Sequence, residues 1–367
     1  MTITIEVPDG DDALTELILF RDRVYADWDA VWPSIVPLDL GLLNGSSSMA
    51  VGRTFRPSVA RRDGEICARA VAAVDRRYID HWGEQLGHIM MFEALPDASE
   101  AVNLLLDDAC GWLRSQGMQA ARTGFGPFDF PYVLDAYGSL PPNFVRLNPS
   151  YYHRFLKEAG FESERGWVDY KIEVTPELVA RWRGAVEAAR RGGFDLVPMR
   201  DVAEDRRVPD YVSTWNDAFS RHWGASPTTE AEQTEAFAFL GPMGAFDTTV
   251  IAYRDGRPVG TVFVAPESTA MAALRNGREL RSDEKLNFLG IGVREEARGK
   301  GVNTAMAAYA YLELVERGAT HLSYTLVLDD NWPSRRTAEK LGAHVCANYM
   351  VYRRNFDRLT AERSGAP

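Results

Sequence analysis

The strongest constraint on this chain is that it repeats itself. Val59-Ala-Arg-Arg-Asp-Gly64 returns as Ile251-Ala-Tyr-Arg-Asp-Gly256. Apolar and β-branched runs flank each copy. Asp-Gly between such runs marks a tight hairpin, because glycine tolerates the positive φ of the turn. A second echo follows in the same order. Asn148-Pro-Ser150 leading to Lys157-Glu-Ala-Gly-Phe161 is answered by Asn331-Trp-Pro-Ser334 leading to Glu339-Lys-Leu-Gly-Ala343. Each reads as a short helix ended by glycine and followed by a strand, over 167–174 and 344–352. Two matches in one order imply a duplicated module, and 367 residues give room for two domains.

The boundary falls near 175–195. Thr175-Pro-Glu opens a helix with Thr as N-cap and Pro in the first turn; its body reaches Arg191 and stops at Gly192-Gly193. The reading is a first module over 1–175, a linker helix over 176–193, a second module over 194–356 and a tail over 357–367. In the second module the order is strand (194–199), helices (207–220 and 229–239), hairpin (248–265), strand (286–293), helix (303–317), strand (320–328), short helix (333–341) and strand (344–353). Helices interleaved with a mixed, mainly antiparallel sheet predict an α/β (α+β) fold in both modules.

Composition narrows the partners. With 41 basic against 52 acidic residues the formal charge is −11, whereas a nucleic-acid groove brings a basic excess. The three cysteines are far apart and form no CxxC pair, which indicates neither a disulfide framework nor a metal cluster. The first dozen residues are acidic where a signal peptide is basic, and no run approaches the ~20 apolar residues that span a bilayer. A cytoplasmic protein without metal, membrane or nucleic-acid partner is expected, either a monomer with pseudo-dimeric halves or a homodimer.

One segment carries chemistry. Leu286-Asn-Phe-Leu-Gly-Ile-Gly-Val293 is a buried-strand pattern that runs through Arg298, Gly299, Lys300, Gly301, Val302 and Asn303 into a helix. A strand, a glycine loop and a helix N-terminus expose successive backbone N–H groups to an anion, and the helix dipole adds positive charge there. Arg298 and Lys300 supply full charges. The first module lacks this cradle: Asp97 and Glu100 stand at the matching place and repel phosphate, with Asp97 or Ser99 as the helix cap.

Arg298-Gly-Lys-Gly301-Val-Asn303 resembles motif A of the GNAT acyltransferases, with Asn303 in place of their Gly or Ala. Asn331 and Ser334 before Glu339-Lys-Leu-Gly342 resemble motif B. Trp215-Asn-Asp-Ala-Phe, Phe92-Glu93 and Gly126-Pro127 are similar to a subgroup with two fused GNAT-like halves. The resemblance implies an acyl-CoA-dependent N-acyltransferase that uses acetyl-CoA or another acyl-CoA on a small amine or amino-acid-like acceptor. It also implies backbone pairing of the donor with the strand at Ile291 and Val293. Alternatives are a non-catalytic module that binds coenzyme A or a partner, and an aminoacyl-tRNA-dependent transferase.

Acyl transfer needs a base for the amine, donors for the oxyanion and an acid for the leaving thiolate. The family's usual tyrosine, four residues before the motif B glycine, is Ala338 here. Tyr324 and Asn287 near the cradle, and His222 in the acceptor-side loop, are the replacement candidates, with Tyr349 and Tyr352 on the last strand. Trp223 and Glu230 join His222 as an expected acceptor pocket.

Overall fold

The computed structural model describes residues 2–275 and 277–356; the tail read over 357–367 lies outside the described residues. The first half contains β1 (Ile3–Glu6), α1 (Asp11–Val24), β2 (Ala30–Val31), α2 (Val36–Leu43), β3 (Arg53–Arg62), β4 (Glu65–Asp75) and α3 (Arg76–Trp82). It continues through β5 (Leu86–Ala94), α4 (Ser99–Ser115), β6 (Ala120–Thr123), β7 (Tyr132–Val133), α5 (Tyr152–Glu158) and β8 (Glu162–Glu173). After α6 (Pro176–Arg191) come β9 (Asp195–Pro198), α7 (Glu204–Phe219), α8 (Glu230–Leu240), α9 (Ala245–Thr248), β10 (Val250–Arg254), β11 (Arg257–Ala265) and β12 (Ala273–Leu274). The chain closes with β13 (Phe288–Val293), α10 (Val302–Glu316), β14 (His321–Leu328), α11 (Trp332–Lys340) and β15 (His344–Asn355).

Local chemistry sets many of these bounds. Both repeated Asp-Gly pairs turn with positive φ, 51° and 90° at Asp63-Gly64 and 51° and 73° at Asp255-Gly256, the geometry that joins two twisted strands in the least chain. Thr175 caps α6 by accepting from the Leu178 N–H at 3.3 Å. The α4 cap differs from expectation. Ala98 holds that position and no side chain caps the helix, because Asp97 is drawn to Arg62 at 2.6 Å and Ser99 to Glu158 at 2.6 Å.

The mixed α/β architecture with mainly antiparallel sheets is present, but the strands do not sort by half. The large sheet runs β1-β3-β4-β5-β6-β15-β8-β14, with β7 also on β15, and a four-stranded sheet runs β13-β11-β10-β9. The last strand of each half therefore sits among strands of the other. β15 lies between β6 and β8, and β8 lies between β15 and β14. α6 is no free linker: Trp182 is buried in the second core and donates to the Leu341 carbonyl at 3.1 Å.

A buried charge cluster also joins the halves. Glu232 of α8 accepts from Arg53 and Arg77 of the first half, Arg77 Nη2 at 2.7 Å, while Arg53 Nε reaches Asp75 at 3.1 Å. Charges leave water only when paired and hydrogen-bonded, so this cluster fixes where α8 docks.

Candidate functional site

β13 is positioned by its glycines. A Cβ on Gly290 would come within 2.7 Å of the Trp215 ring, and one on Gly292 within 2.7 Å of Ala218. Their absence lets α7 lie against the strand while β11 pairs along its other edge, Val262 with Ile291 and Gly260 with Val293. The chain then makes a short turn and enters α10. Gly299 and Gly301 have φ of 75° and 80°, and no heavy atom lies within 4 Å of a Cβ built on either. Conformation demands these glycines, and open space lies in front of them. No side chain caps α10, so its first N–H groups and its dipole face that space.

The cations beside the loop also hold it together. Arg298 donates to the Val293 carbonyl at 3.2 Å and the Ala218 carbonyl at 3.4 Å, and Lys300 to the Glu296 carbonyl at 2.8 Å. Asn303, in the first turn of α10, donates to Thr337 Oγ1 at 3.3 Å and leaves its buried Oδ1 without a partner. Asn331 accepts from the Ser334 N–H at 3.3 Å and so caps α11. Ser334 in turn meets the Tyr324 hydroxyl at 3.0 Å. Thus Asn303 at the start of α10, Asn331 and Ser334 at the start of α11 and Tyr324 on β14 lie close together, while Arg298 stands in the loop before α10.

β13 and β14 run side by side without a ladder between them; side chains bridge them instead. Asn287 takes the Ser323 N–H at 2.9 Å and gives to the Ser323 carbonyl at 3.1 Å, while Thr325 Oγ1 accepts from the Leu289 N–H at 3.0 Å. Past Leu289, β13 leads to the cradle. This use of Asn287 corrects the expected acceptor-binding or water-ordering role. It is buried, and its amide is spent on two backbone groups of one residue.

The acceptor pocket expected from His222, Trp223 and Glu230 is not assembled. His222 packs on Phe219 and Trp167, with ring centroids 5.4 and 5.8 Å away; burial lowers its pKa, against a backbone contact with Trp223. Trp223 stacks on Phe125 at 5.6 Å beneath the Arg122 guanidinium at 4.2 Å, which ties its loop to the first half. Glu230 is exposed on the first turn of α8; the carboxylate that turns inward is Glu232. Tyr324 lies in the core, where burial pushes its pKa up to about 12 against the Ser334 hydrogen bond, so it holds its proton. Tyr349 is buried and Tyr352 meets His153 at 2.7 Å.

Sequence reasoning missed Asp169. It sits on β8, buried, opposite a bulge in β14 where Leu326 has φ 42°. Its Oδ1 accepts from Ser323 Oγ and from the Leu326 N–H, each at 3.3 Å. Burial pushes the carboxyl up to about 7, against those donors. In Trp167-Val-Asp-Tyr-Lys-Ile172 the alternation places Asp169 on what reads as a solvent face, so no local signal marked it.

The corresponding gap in the first half is filled by the protein. β5 pairs in parallel with β6 from Leu86 to Ile89, then diverges. Beyond that point Arg146 donates to the Phe92 carbonyl at 2.5 Å, Tyr151 to the Ala94 carbonyl at 2.8 Å, and the Ala94 N–H donates to Tyr152 at 2.8 Å. Glu93 accepts from Tyr25 and Tyr152 at 2.9 and 2.8 Å. Side chains thus satisfy the strand edge that a ligand would need.

Residues 208–343, from α7 to the end of α11, match the sequence pattern of the Acetyltransferase (GNAT) family. The whole chain also superposes on a tandem GNAT protein from the clavulanic acid biosynthesis pathway, with 14% identity and a TM-score of 0.58 over 96% of this chain and 98% of that one. Residues 208–343 therefore carry a GNAT-family domain. The chain has the same TM-score, 0.58, at 16% identity, with a GCN5-related glucosamine N-acetyltransferase region of a fungal multi-domain β-N-acetylglucosaminidase. That match covers 96% of this chain and 38% of the other. A curated relative, bacterial ceramide synthase of Caulobacter vibrioides (strain NA1000 / CB15N), is 26% identical over 320 residues, 80% of this chain and 82% of the relative. Among the described residues no helix is long and apolar enough to cross a membrane.

Proposed function

We propose that this GNAT protein is an N-acyltransferase that takes its acyl group from acetyl-CoA or another acyl-CoA and passes it to an amine. The observation that carries this reading is the uncapped N-terminus of α10 behind Gly299 and Gly301, with open space before both. Those features fit a pyrophosphate: donors are unpaired, backbone approach is unobstructed, and Arg298 and Lys300 stand beside it. Val302 and Asn303 continue the donor row, and Ile291 and Val293 on β13 lead to it. Bound there, acyl-CoA supplies a thioester carbonyl to the amine. The first half takes no coenzyme A in this reading, because Arg146, Tyr151 and Tyr152 occupy its strand edge.

A small or amino-acid-like amine is one acceptor class. A second reading is an amine with an apolar chain. It is favoured by the aromatic wall between the halves, where Phe288 meets Phe130, Phe144 and Phe263 at 5.7, 5.9 and 6.3 Å, and by the ceramide synthase name of the relative. Thermal denaturation with and without acyl-CoA tests the donor site. Acetyl-CoA or a longer acyl-CoA raises the melting temperature, and Arg298→Glu or Gly301→Glu removes the rise. Indifference of the wild-type protein to every acyl-CoA sinks the reading.

A further inference from the structure

Strand alternation divides the two faces of β14. Tyr324 points with Tyr170 and Leu322 into the core under α10, the helix that carries the cradle. Ser323 and Thr325 point the other way, onto the face of β8 that carries Asp169. On that face a chain of hydrogen bonds runs from Asp169 Oδ1 to Ser323 Oγ at 3.3 Å, and from Ser323 Oγ to Thr325 Oγ1 at 3.1 Å. Thr325 Oγ1 accepts the Leu289 N–H, which makes it the side-chain bridge between β14 and β13 that lies nearer the cradle than Asn287. The chain is directional. Thr325 accepts that N–H and gives its own proton to Ser323, and Ser323 gives its proton to Asp169.

We propose that Asp169, delivered to the second half by the last strand of the first, is the terminal proton acceptor for the amine, with Thr325 and Ser323 as the relay. The inference rests on the acyltransferase reading above. The ammonium form of the acceptor gives one proton to Thr325 Oγ1, which passes its own to Ser323, which passes its own to the Asp169 carboxylate. The neutral nitrogen then bonds to the acyl carbon, the carbon–sulfur bond breaks, and the departing thiolate takes the remaining excess proton from nitrogen. Products are the amide, the free thiol and a neutral Asp169, which returns its proton to water.

The surroundings suit that task. Among the described residues no Lys or Arg forms an ion pair with Asp169. The titratable groups that act on it or feel its charge are Lys171 on its own strand, Cys346 and Tyr349 on β15, and Tyr311 on α10. Lys171 is already paired with Asp283 at 3.2 Å. Burial without a cation keeps the carboxyl near neutrality, where an acceptor of protons works best. The arrangement also gives the first half a part in the site despite its closed cleft.

The test uses the full chain, Asp169→Asn and Thr325→Val. Asp169→Asn keeps the acceptor oxygen and the shape, so it separates charge from structure. NMR titration of carboxyl-labelled aspartate is expected to show one resonance, absent from Asp169→Asn, with a midpoint between about pH 6 and 8; a midpoint below pH 5 overturns the proposal. Thiol release from acyl-CoA across a panel of short and long amines is expected to show kcat/KM falling tenfold per pH unit below that midpoint. Both variants lose at least about 100-fold, and Asp169→Asn loses the acid limb. An acid limb retained in Asp169→Asn, or a loss under fivefold, also overturns it, as does acyl-CoA binding by wild type without turnover of any amine. A wild-type melting temperature that no acyl-CoA moves instead overturns the donor reading. The two failures are therefore distinct.

Discussion

Glu232→Gln removes one charge from the joint between the halves while keeping the shape of the side chain. Glu232, Arg53 and Asp75 are nearly inaccessible, their side chains 7%, 5% and 0% exposed, and Arg77 is 18% exposed. With the negative charge gone, the two guanidinium groups keep one neutral amide oxygen of the variant, Asp75 and the backbone carbonyls of Met49 and Val51. Breaking a buried pair from one side costs about 3–5 kcal/mol. Arg53 keeps Asp75, which places the expected loss at the lower end, about 3 kcal/mol. The pH dependence has a definite sign. Burial raises the Glu232 pKa, but Arg77 and Arg53 outweigh it and hold the carboxyl below its ordinary range. Its contribution is therefore full above the unfolded carboxylate pKa, about 4.3, and is lost as pH falls through the lower folded value. Urea unfolding followed by tryptophan fluorescence at pH 7 and pH 4 measures both effects. A loss under 0.5 kcal/mol at pH 7 would refute the claim that this cluster holds the halves together.

Two further expectations concern single groups. Tyr324→Phe deletes one neutral hydrogen bond to Ser334 and is expected to cost about 1 kcal/mol. Because Tyr324 holds its proton to about pH 12, turnover stays within about twofold; a tenfold fall in kcat would make it the missing acid. Asp169→Asn carries a stability signature besides its kinetic one. A carboxyl raised from 3.8 to about 7 by burial destabilises the folded state progressively as pH rises between those values and by a constant amount above them. At 1.36 kcal/mol per pH unit this is about 4 kcal/mol at pH 8. The variant is expected to outlast wild type in urea at pH 8 and to match it near pH 4; equal stability at both would show that Asp169 ionises freely.

The local geometry of the proposed donor site was legible because its signals are local. Gly299 and Gly301 announce a positive-φ loop, the strand and helix around them have clear periods, and Thr175 marks the start of α6. The contacts of the residues expected on the acceptor side were illegible because their partners lie far apart in sequence. Asn287 and Ser323 meet only once β13 and β14 are adjacent, and His222, Trp223 and Glu230 look like neighbours although Trp223 turns to Phe125 of the other half. Glu232, two positions from the chosen Glu230, goes inward because Arg53 and Arg77 await it. The strand exchange left no mark, since nothing local in β8 or β15 names the strand that each pairs with.

That exchange has a consequence for how the protein is made. As the chain leaves the ribosome, the first half lacks the neighbour that β6 needs, because β15 follows the other elements of the second half. An N-terminal domain ordinarily folds before the rest emerges; here β6 keeps an open edge, and β8 waits for both flanking strands, until the second half has emerged. An unpaired edge is a template for the wrong partner. Pausing, truncation or separate expression of the halves thus leaves two incomplete sheets whose best available complement is another copy of the same chain.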